Sequence, residues 1–463
     1  MTPVQPYRPD PRILELGETF YDPVRAANFP ACTARFVNTR AAAEVGLEGT
    51  DWARHFCRFE PLPGNLEAPL ALRYHGHQFR SYNPELGDGR GFLFAQLRDG
   101  AGRLMDLGTK GSGQTPWSRF GDGRLTLKGG VREVLATEML QALGVNTSRS
   151  FALFETGEEL ERNDEPSPTR SAVLTRLSHG HIRIGTFQRL AFGEDVAGLE
   201  RLVRYCLEHL YGEAADGGAE RLFALVTERT AALAASYMVA GFVHGVLNTD
   251  NINITGESFD YGPWRFAPSW DPAFTAAYFD HAGLYAFGRQ PEAIQWNLAQ
   301  LAGCLALMTD GHDGLQAILE GFAGQFHAAL AAGMVGRLGL APAGAEEDRV
   351  VARTAVAALG TGAIGIDRFF FDWFGGERPG GEAYADPAFQ ALAEAIGERR
   401  GARAHPYWSD PEPCSLLIDE VEAIWASIAS DDDWAPFEAK VAAIRRMGEA
   451  LTGAAGSASS PLA

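Results

Sequence analysis

A run of polar residues in the middle of the chain raises the chemical question. His244-Gly-Val-Leu-Asn-Thr-Asp-Asn-Ile-Asn-Ile254 is followed closely by Phe259-Asp-Tyr-Gly262. Asn251 and Asp260 offer the hard oxygen ligands that Mg2+ or Mn2+ prefers. Asp250, next to Asn251, is a carboxylate able to accept a proton or to stabilise charge beside such a cation. Earlier in the chain Lys110 follows the apolar run 104–107, and Arg176 and Arg183 bracket the turn Leu-Ser-His-Gly-His-Ile. A lysine and two arginines near metal-binding oxygens are the groups that hold a chain of phosphates. The competing reading is that Asp250 and Asp260 cap turns of a hairpin. His179 and His181, inside the arginine-bracketed turn, read as local hydrogen-bond residues rather than bases.

Two glycine loops add to the anion-binding inventory. Leu86-Gly-Asp-Gly-Arg-Gly91 precedes an apolar run, and Gly121-Asp-Gly-Arg124 repeats its core shortly before a helical pattern. Glycines let backbone N–H groups approach phosphate oxygens, so Gly87, Gly89, Arg90, Asp122 and Gly123 are candidate nucleotide contacts. One such loop alone reads better as a plain hairpin turn. Two of them flanking one strand pair suggest a shared anion site.

The elements that must position these groups are legible from periodicity. Short apolar runs at 91–97 and 103–107, separated by Arg98-Asp-Gly-Ala-Gly102, predict a hairpin. Val131, Val134, Leu135, Met139, Ala142 and Leu143 fall at helical spacing, and runs at 151–154 and 172–175 add strands to the sheet. Helical periodicity dominates from residue 198 onward, at 202–211, 222–238, 293–307 and 315–332. Segments 338–348 and 374–382 read as surface loops from their Gly, Pro and Ala content, and 451–463 as a disordered tail. The expected fold is α+β and bilobal. Residues 1–190 form an N-terminal extension and small mixed sheet lobe, 191–335 a large helical lobe, and 336–463 a helical C-terminal extension.

Lys110 after a strand and Glu133 on the next helix match the lysine–glutamate pair of protein kinases, with Glu138 an alternative partner. In a kinase catalytic loop an Asp base stands two positions after the His and a metal-binding Asn seven after it. Asn251 is in that place, and Asp260-Tyr-Gly stands where kinases have Asp-Phe-Gly. The base position, however, is Val246, which cannot take a proton. Asp250 is the nearest carboxylate able to replace it, so the chemistry is expected to differ from ordinary phosphotransfer.

Composition limits the alternatives. With 46% hydrophobic and 21% charged residues the chain is globular. Asp and Glu outnumber Lys and Arg by 59 to 40, a formal charge of −19 that disfavours nonspecific binding to nucleic acid or anionic membranes. Cys32, Cys57, Cys206, Cys304 and Cys414 show no CxxC spacing and read as reduced, mostly buried thiols. The first ten residues lack an apolar targeting region, and no later segment is uninterruptedly apolar for a membrane's width. The expectation is a cytoplasmic monomer.

Several ordered motifs carry a family resemblance: Tyr74-His-Gly-His-Gln-Phe79, Leu86-Gly-Asp-Gly-Arg90, Leu107-Gly-Thr-Lys-Gly-Ser-Gly-Gln-Thr-Pro116, Gly121-Asp-Gly-Arg124, Arg132-Glu133, His244-Gly-Val-Leu-Asn-Thr-Asp-Asn251 and Phe287-Gly-Arg-Gln-Pro291. Together they closely resemble the selenoprotein O family of protein adenylyltransferases, from about residue 20 to 307. The resemblance implies a protein-kinase-like fold that binds ATP in a flipped orientation and transfers AMP to Ser, Thr or Tyr hydroxyls of other proteins, releasing pyrophosphate. It also implies that Gly87, Gly89, Arg90, Lys110, Asp122, Gly123, Arg176 and Arg183 hold the nucleotide, that Asp250 accepts the proton, and that Asn251 and Asp260 bind Mg2+ or Mn2+. The sequence departs from the family at Arg80-Ser-Tyr-Asn-Pro-Glu85, where many members carry a Gly/Trp-containing stretch, and near its C-terminus, which has no cysteine for redox switching. Two rival readings are a γ-phosphate transferase and a pseudokinase that binds ATP only as a scaffold.

Overall fold

The computed structural model describes residues 5–163 and 165–455. The first strands are β1 (Tyr21–Pro23), β2 (Thr33–Val37), β3 (Leu70–Leu72), β4 (Gly76–Gln78), β5 (Ser81–Asn83), β6 (Leu93–Arg98) and β7 (Leu104–Lys110). They are followed by β8 (Leu125–Thr126), β9 (Arg149–Leu160), β10 (Thr169–Ser178), β11 (Phe242–Val243) and β12 (Arg265–Phe266). The principal sheet runs β1-β3-β6-β7-β10-β9-β2, with β8 paired to β10 and every pairing antiparallel. β6 and β7 form the expected hairpin across residues 99–103. The short hairpins β4–β5 and β11–β12 stand apart from this sheet.

Side chains on β10 alternate between two cores, as a pleated strand covered on both faces requires. Ala172 and Leu174 face the core built by α3 (Leu127–Ala142), while Val173 and Leu177 face a second core. That second core is filled by α1 (Thr39–Val45) and α2 (Trp52–Phe56), with Phe56 in edge contact with both Phe94 and Phe151. Thr126 caps α3 by accepting the N–H of Gly129, which fixes where the helix starts and therefore which residues face the sheet.

The rest of the molecule is helical. It contains α4 (Ile184–Phe192), α5 (Val196–Tyr205), α6 (Gly218–Ala240), α7 (Gln290–Leu305), α8 (Asp313–Glu320) and α9 (Phe322–Arg337). The chain ends with α10 (Ala345–Leu359), α11 (Ile366–Trp373), α12 (Pro387–Ile396), α13 (Ile418–Asp431) and α14 (Ala435–Ala455). Among the described residues only α6 is long and apolar enough to cross a membrane, and 67% of its most apolar window is buried inside the protein, as for a core helix. The last two helices fold back against α3. Arg445 of α14 donates two bonds, of 2.7 and 2.8 Å, to the buried Glu138 carboxylate, and Lys128 of α3 meets Glu422 of α13 at 2.7 Å.

Several sequence expectations are corrected. Cys32 and Cys57 are joined in a disulfide, so they are not reduced thiols; Cys206, Cys304 and Cys414 are free. The pair closes a loop between residues 25 positions apart, a relation that no local spacing reveals. The expected loop 338–348 becomes α10 from Ala345, whose first turn carries Glu346, Glu347 and Asp348, favoured at the positive end of the helix dipole. In the expected surface loop 374–382 the first three residues are buried. Gly375 and Gly376 have φ of 72° and 76°, and a Cβ there would meet the Gly401 carbonyl oxygen at 2.8 Å and that of Arg399 at 2.3 Å. The helical run 315–332 is broken into α8 and α9 at Gly321. Helix α14 continues through 451–455, where a disordered tail is expected; the remainder of that segment, 456–463, lies outside the described residues.

The Arg445–Glu138 pair makes the C-terminal helix part of the support for α3. Arg445→Ala leaves a buried carboxylate without its partner and is expected to cost about 3 kcal/mol, measured by urea unfolding. A loss no larger than that of an exposed pair would place α14 outside the cooperative unit.

Candidate active site

The centre of the site is a group of two cations and two carboxylates brought together from four elements. Lys110 ends β7 and Arg176 lies on β10, the neighbouring strand, where Arg176 pairs with Gly108 and Leu174 with Lys110. Glu133 projects from α3 and is fully buried. Asp260 comes from the turn after β11, at φ 62°, a left-handed conformation that a non-glycine residue adopts at a cost. Lys110 Nζ lies 2.6 Å from Glu133 Oε2 and 2.9 Å from Asp260 Oδ1. Arg176 Nη1 lies 3.2 Å from Glu133 Oε1 and 3.4 Å from Asp260 Oδ1. Burial opposes ionisation of Asp260, but the charges of Lys110, Arg176 and Arg90 outweigh it and hold this carboxyl well below the usual range. Glu133, not Glu138, is the partner of Lys110.

Arg183 lies beside the group, since its guanidinium and that of Arg176 face the same Phe259 ring at 5.0 and 6.0 Å. It begins α4, where its backbone pairs with Asn253, and its Nη1 donates to the Asp250 carbonyl at 3.2 Å. Nη2 reaches Asp88 Oδ1 at 3.4 Å, and the guanidinium stacks 4.1 Å above Tyr74. The Nε atoms of Arg176 and Arg183 are buried and have no partner among the described residues. Each is therefore an unsatisfied charged donor in a place where an anion would satisfy it.

The segment carrying Asp250 is pinned from several sides. His244 Nε2 contacts the Phe259 carbonyl at 3.0 Å, Gln290 Oε1 accepts the His244 N–H, and Asn297 donates to the Leu247 carbonyl at 2.8 Å. Asp250 is buried, its Oδ1 has no partner among the described residues, and burial, opposed by the Arg183 charge, pushes its pKa up to about 6. Gly76 packs closely beside it, where a Cβ would crowd Asp250 Oδ1 at 3.1 Å. Asn251 Nδ2 donates to the Val246 carbonyl at 3.0 Å, which orients the side chain and leaves Oδ1 as an acceptor.

No three His, Cys, Asp or Glu side chains gather into a metal cluster among the described residues. The donors present still fit a hard divalent cation that takes most of its ligands from phosphate and water. They are the Asn251 Oδ1, the half-buried Asp260 carboxylate and the unpartnered Asp250 oxygen.

The first glycine loop borders this group. Asp88 anchors it by exchanging hydrogen bonds with Leu72, and the Arg90 carbonyl accepts the N–H of Gly111 at 2.6 Å, just past Lys110. A Cβ on Gly87 would lie 2.4 Å from the Trp117 ring, so that ring packs directly on the bare backbone of this loop. The second loop is placed differently. Gly123 packs on Gly113, with the Gly113 N–H bonded to its carbonyl, while the Asp122 carboxylate is held by Arg162 at 2.8 Å on the outer side. Among the described residues Asp122 bonds none of the four charged groups, although the two loops are tied through Ser118, whose hydroxyl donates to the Gly89 carbonyl and whose carbonyl accepts the Gly121 N–H.

His181 Nδ1 lies 3.1 Å from Asp106, and the backbone N–H of His179 donates to Glu257 at 2.6 Å, in keeping with structural roles. Tyr74, Asp88, Trp117 and Asn248 are part of the site although sequence reasoning did not select them. Tyr74 and Asp88 stood inside recognised motifs, but their contacts are long-range.

A family model described as "Protein adenylyltransferase SelO" matches residues 5–383. The chain is 43% identical over 465 residues to "Protein nucleotidyltransferase YdiU" of Synechococcus elongatus, covering 93% of this chain and 93% of the relative. Proteins of the same name from Synechocystis and Cereibacter sphaeroides are 40% and 36% identical over 92% and 94% of this chain. The likeness thus extends well past residue 310, where the sequence motifs suggest that it fades.

Glu257 gives the neighbourhood a pH dependence of its own. Burial raises its pKa to about 7, against an ordinary value of 4.5. The stability it allows is full below pH 4.5 and is lost as the pH rises through 7, because the folded protein must then hold a buried charge. Between pH 4.5 and 8 the wild type is expected to lose on the order of 3 kcal/mol relative to Glu257→Gln. Unfolding measured at both pH values checks this; parallel pH profiles would contradict it.

Proposed function

The chain belongs to the SelO family of protein adenylyltransferases and is a nucleotidyltransferase; on that premise we propose that it transfers AMP from ATP to Ser, Thr or Tyr hydroxyls of other proteins. The observation that carries the proposal is the placement of Asp250. It is a buried carboxylate with an unpartnered oxygen, and its backbone carbonyl accepts from Arg183, whose guanidinium faces the same Phe259 ring as that of Arg176 in the Lys110–Glu133–Arg176–Asp260 group. The position from which a kinase base would act is the apolar Val246, whose carbonyl is occupied by Asn251.

In this reading Lys110, Arg176 and Arg183 hold the phosphates, with Gly87, Gly89 and Arg90 along the first glycine loop. Asp122 and Gly123, on the second glycine loop, complete the nucleotide contacts in this reading. Asp250 takes the proton of the attacking hydroxyl. The new bond joins that oxygen to the α-phosphorus, the bond from the α-phosphorus to the bridging oxygen breaks, and pyrophosphate leaves toward the cations, which neutralise it. Asn251 and Asp260 would hold Mg2+ or Mn2+, which supplies charge neutralisation at the phosphates. The strand-borne lysine, the helix-borne glutamate and the pinned 244–251 loop support a kinase-like arrangement of a sheet lobe and a helical lobe.

Incubation with ATP labelled at either the α- or the γ-phosphate tests the proposal. Label on protein is expected from α-labelled ATP alone and is expected to fall at least about 100-fold in Asp250→Asn and Lys110→Met. Label from γ-labelled ATP would make the protein a phosphotransferase, and bound ATP with neither label would make it a scaffold.

A further inference from the structure

The β4–β5 hairpin ends in Phe79 and Arg80, with φ of 49° and 64°. Two left-handed residues suit a two-residue hairpin turn, but at a phenylalanine this conformation is strained. The hairpin is fastened to the loop that carries Asp250. The His77 N–H donates to Thr249 Oγ1 at 2.7 Å, and the Phe79 N–H to Asn248 Oδ1 at 3.0 Å. The same Asn248 oxygen accepts the Tyr285 hydroxyl at 2.7 Å. Phe79 packs 5.1 Å from Tyr285 and 5.8 Å from Phe279, which in turn lies 5.1 Å from Tyr278.

These rings are not covered. Phe79, Phe279 and Tyr278 are 38, 42 and 80% exposed, a contiguous aromatic surface of a kind that usually marks a binding site. It is also stiff, since the Asp280 carboxylate accepts the N–H groups of Leu284 and Tyr285 at 2.8 Å each.

Its position relative to Asp250 identifies the occupant. Arg183 and the cations approach the Asp250 segment from β10 and α4, whereas the rings approach through Asn248 and Tyr285. In an in-line displacement the attacking hydroxyl and the leaving group stand on opposite sides of the phosphorus. The acceptor hydroxyl must reach Asp250, so the chain that carries it crosses the surface bordering this loop, where the Phe79 backbone and the Tyr285 hydroxyl are fastened to Asn248, two residues before Asp250. We propose that Phe79, Phe279 and Tyr278 form a docking ledge for an extended segment of the acceptor protein, and that this ledge takes an apolar side chain flanking the modified hydroxyl. The inference rests on the transfer activity proposed above.

The test is a positional-scanning peptide library with a central Ser, Thr or Tyr, labelled from α-labelled ATP by wild type and by the double variant Phe79→Asn/Phe279→Ser. Asparagine tolerates the left-handed turn, so the hairpin is retained. Wild type is expected to favour apolar flanking residues. The variant is expected to lose that preference and to show a peptide KM at least about tenfold higher, with the KM for ATP unchanged within about twofold. Labelling without a flanking preference overturns the ledge alone, and so does a variant in which the KM for ATP rises as much as that for peptide, since the rings then serve the nucleotide. Absence of α-label in wild type overturns the transfer reading and the ledge with it.

Discussion

The structure is organised around four charged groups that cannot be separated cheaply. Lys110, Arg176, Glu133 and Asp260 come from two strands, a helix and a loop, yet meet within 3.4 Å of one another in alternating sign. Removing any one leaves two like charges sharing a single opposite charge in a poorly solvated place, at a cost of several kcal/mol. The group therefore fixes the position of α3 on the sheet and the turn at Asp260 together. It also concentrates positive charge, because Arg183 adds a third cation whose nearest carboxylate, Asp88, is itself biased toward the neutral form by burial. An incoming phosphate chain finds donors already oriented, and little reorganisation is left for the moment of reaction.

The remaining architecture protects that geometry. Helix α14 reaches back to hold Glu138 on the same helix as Glu133, so the far C-terminal part of the chain bears on the first charged pair. The loop with Asp250 is held by His244, Gln290 and Asn297, and on its open side by the β4–β5 hairpin. Segment 26–32 supports the glycine loop after Lys110: the Ala27 N–H donates to the Ser112 carbonyl, and the Cys32–Cys57 disulfide ties the segment to the end of α2.

Much of this was legible in the sequence, for physical reasons that can be named. Periodicity exposed the β6–β7 hairpin and α3, because each buries a face with a period of its own. Spacing from His244 marked Asn251 and Asp260, and the apolar Val246 showed that Asp250 stands in an altered place. Asp122 shares the Gly-Asp-Gly-Arg pattern of residues 87–90, but the pattern gives no sign of its ion pair with Arg162, 40 positions away. The disulfide, the Arg445–Glu138 pair and the aromatic ledge were hidden for the same reason: each depends on contacts between distant segments. The α10 start was obscured by alanines and glycines that read as loop until its acidic first turn is seen at a helix end.

The most direct measurement is a structure of the protein with a non-hydrolysable ATP analogue and Mg2+ or Mn2+. The account predicts the β- and γ-phosphates on Lys110, Arg176 and Arg183, and the α-phosphorus turned toward the Asp250 carboxylate and the aromatic side. A nucleotide bound the other way, with its γ-phosphorus facing Asp250, would contradict it.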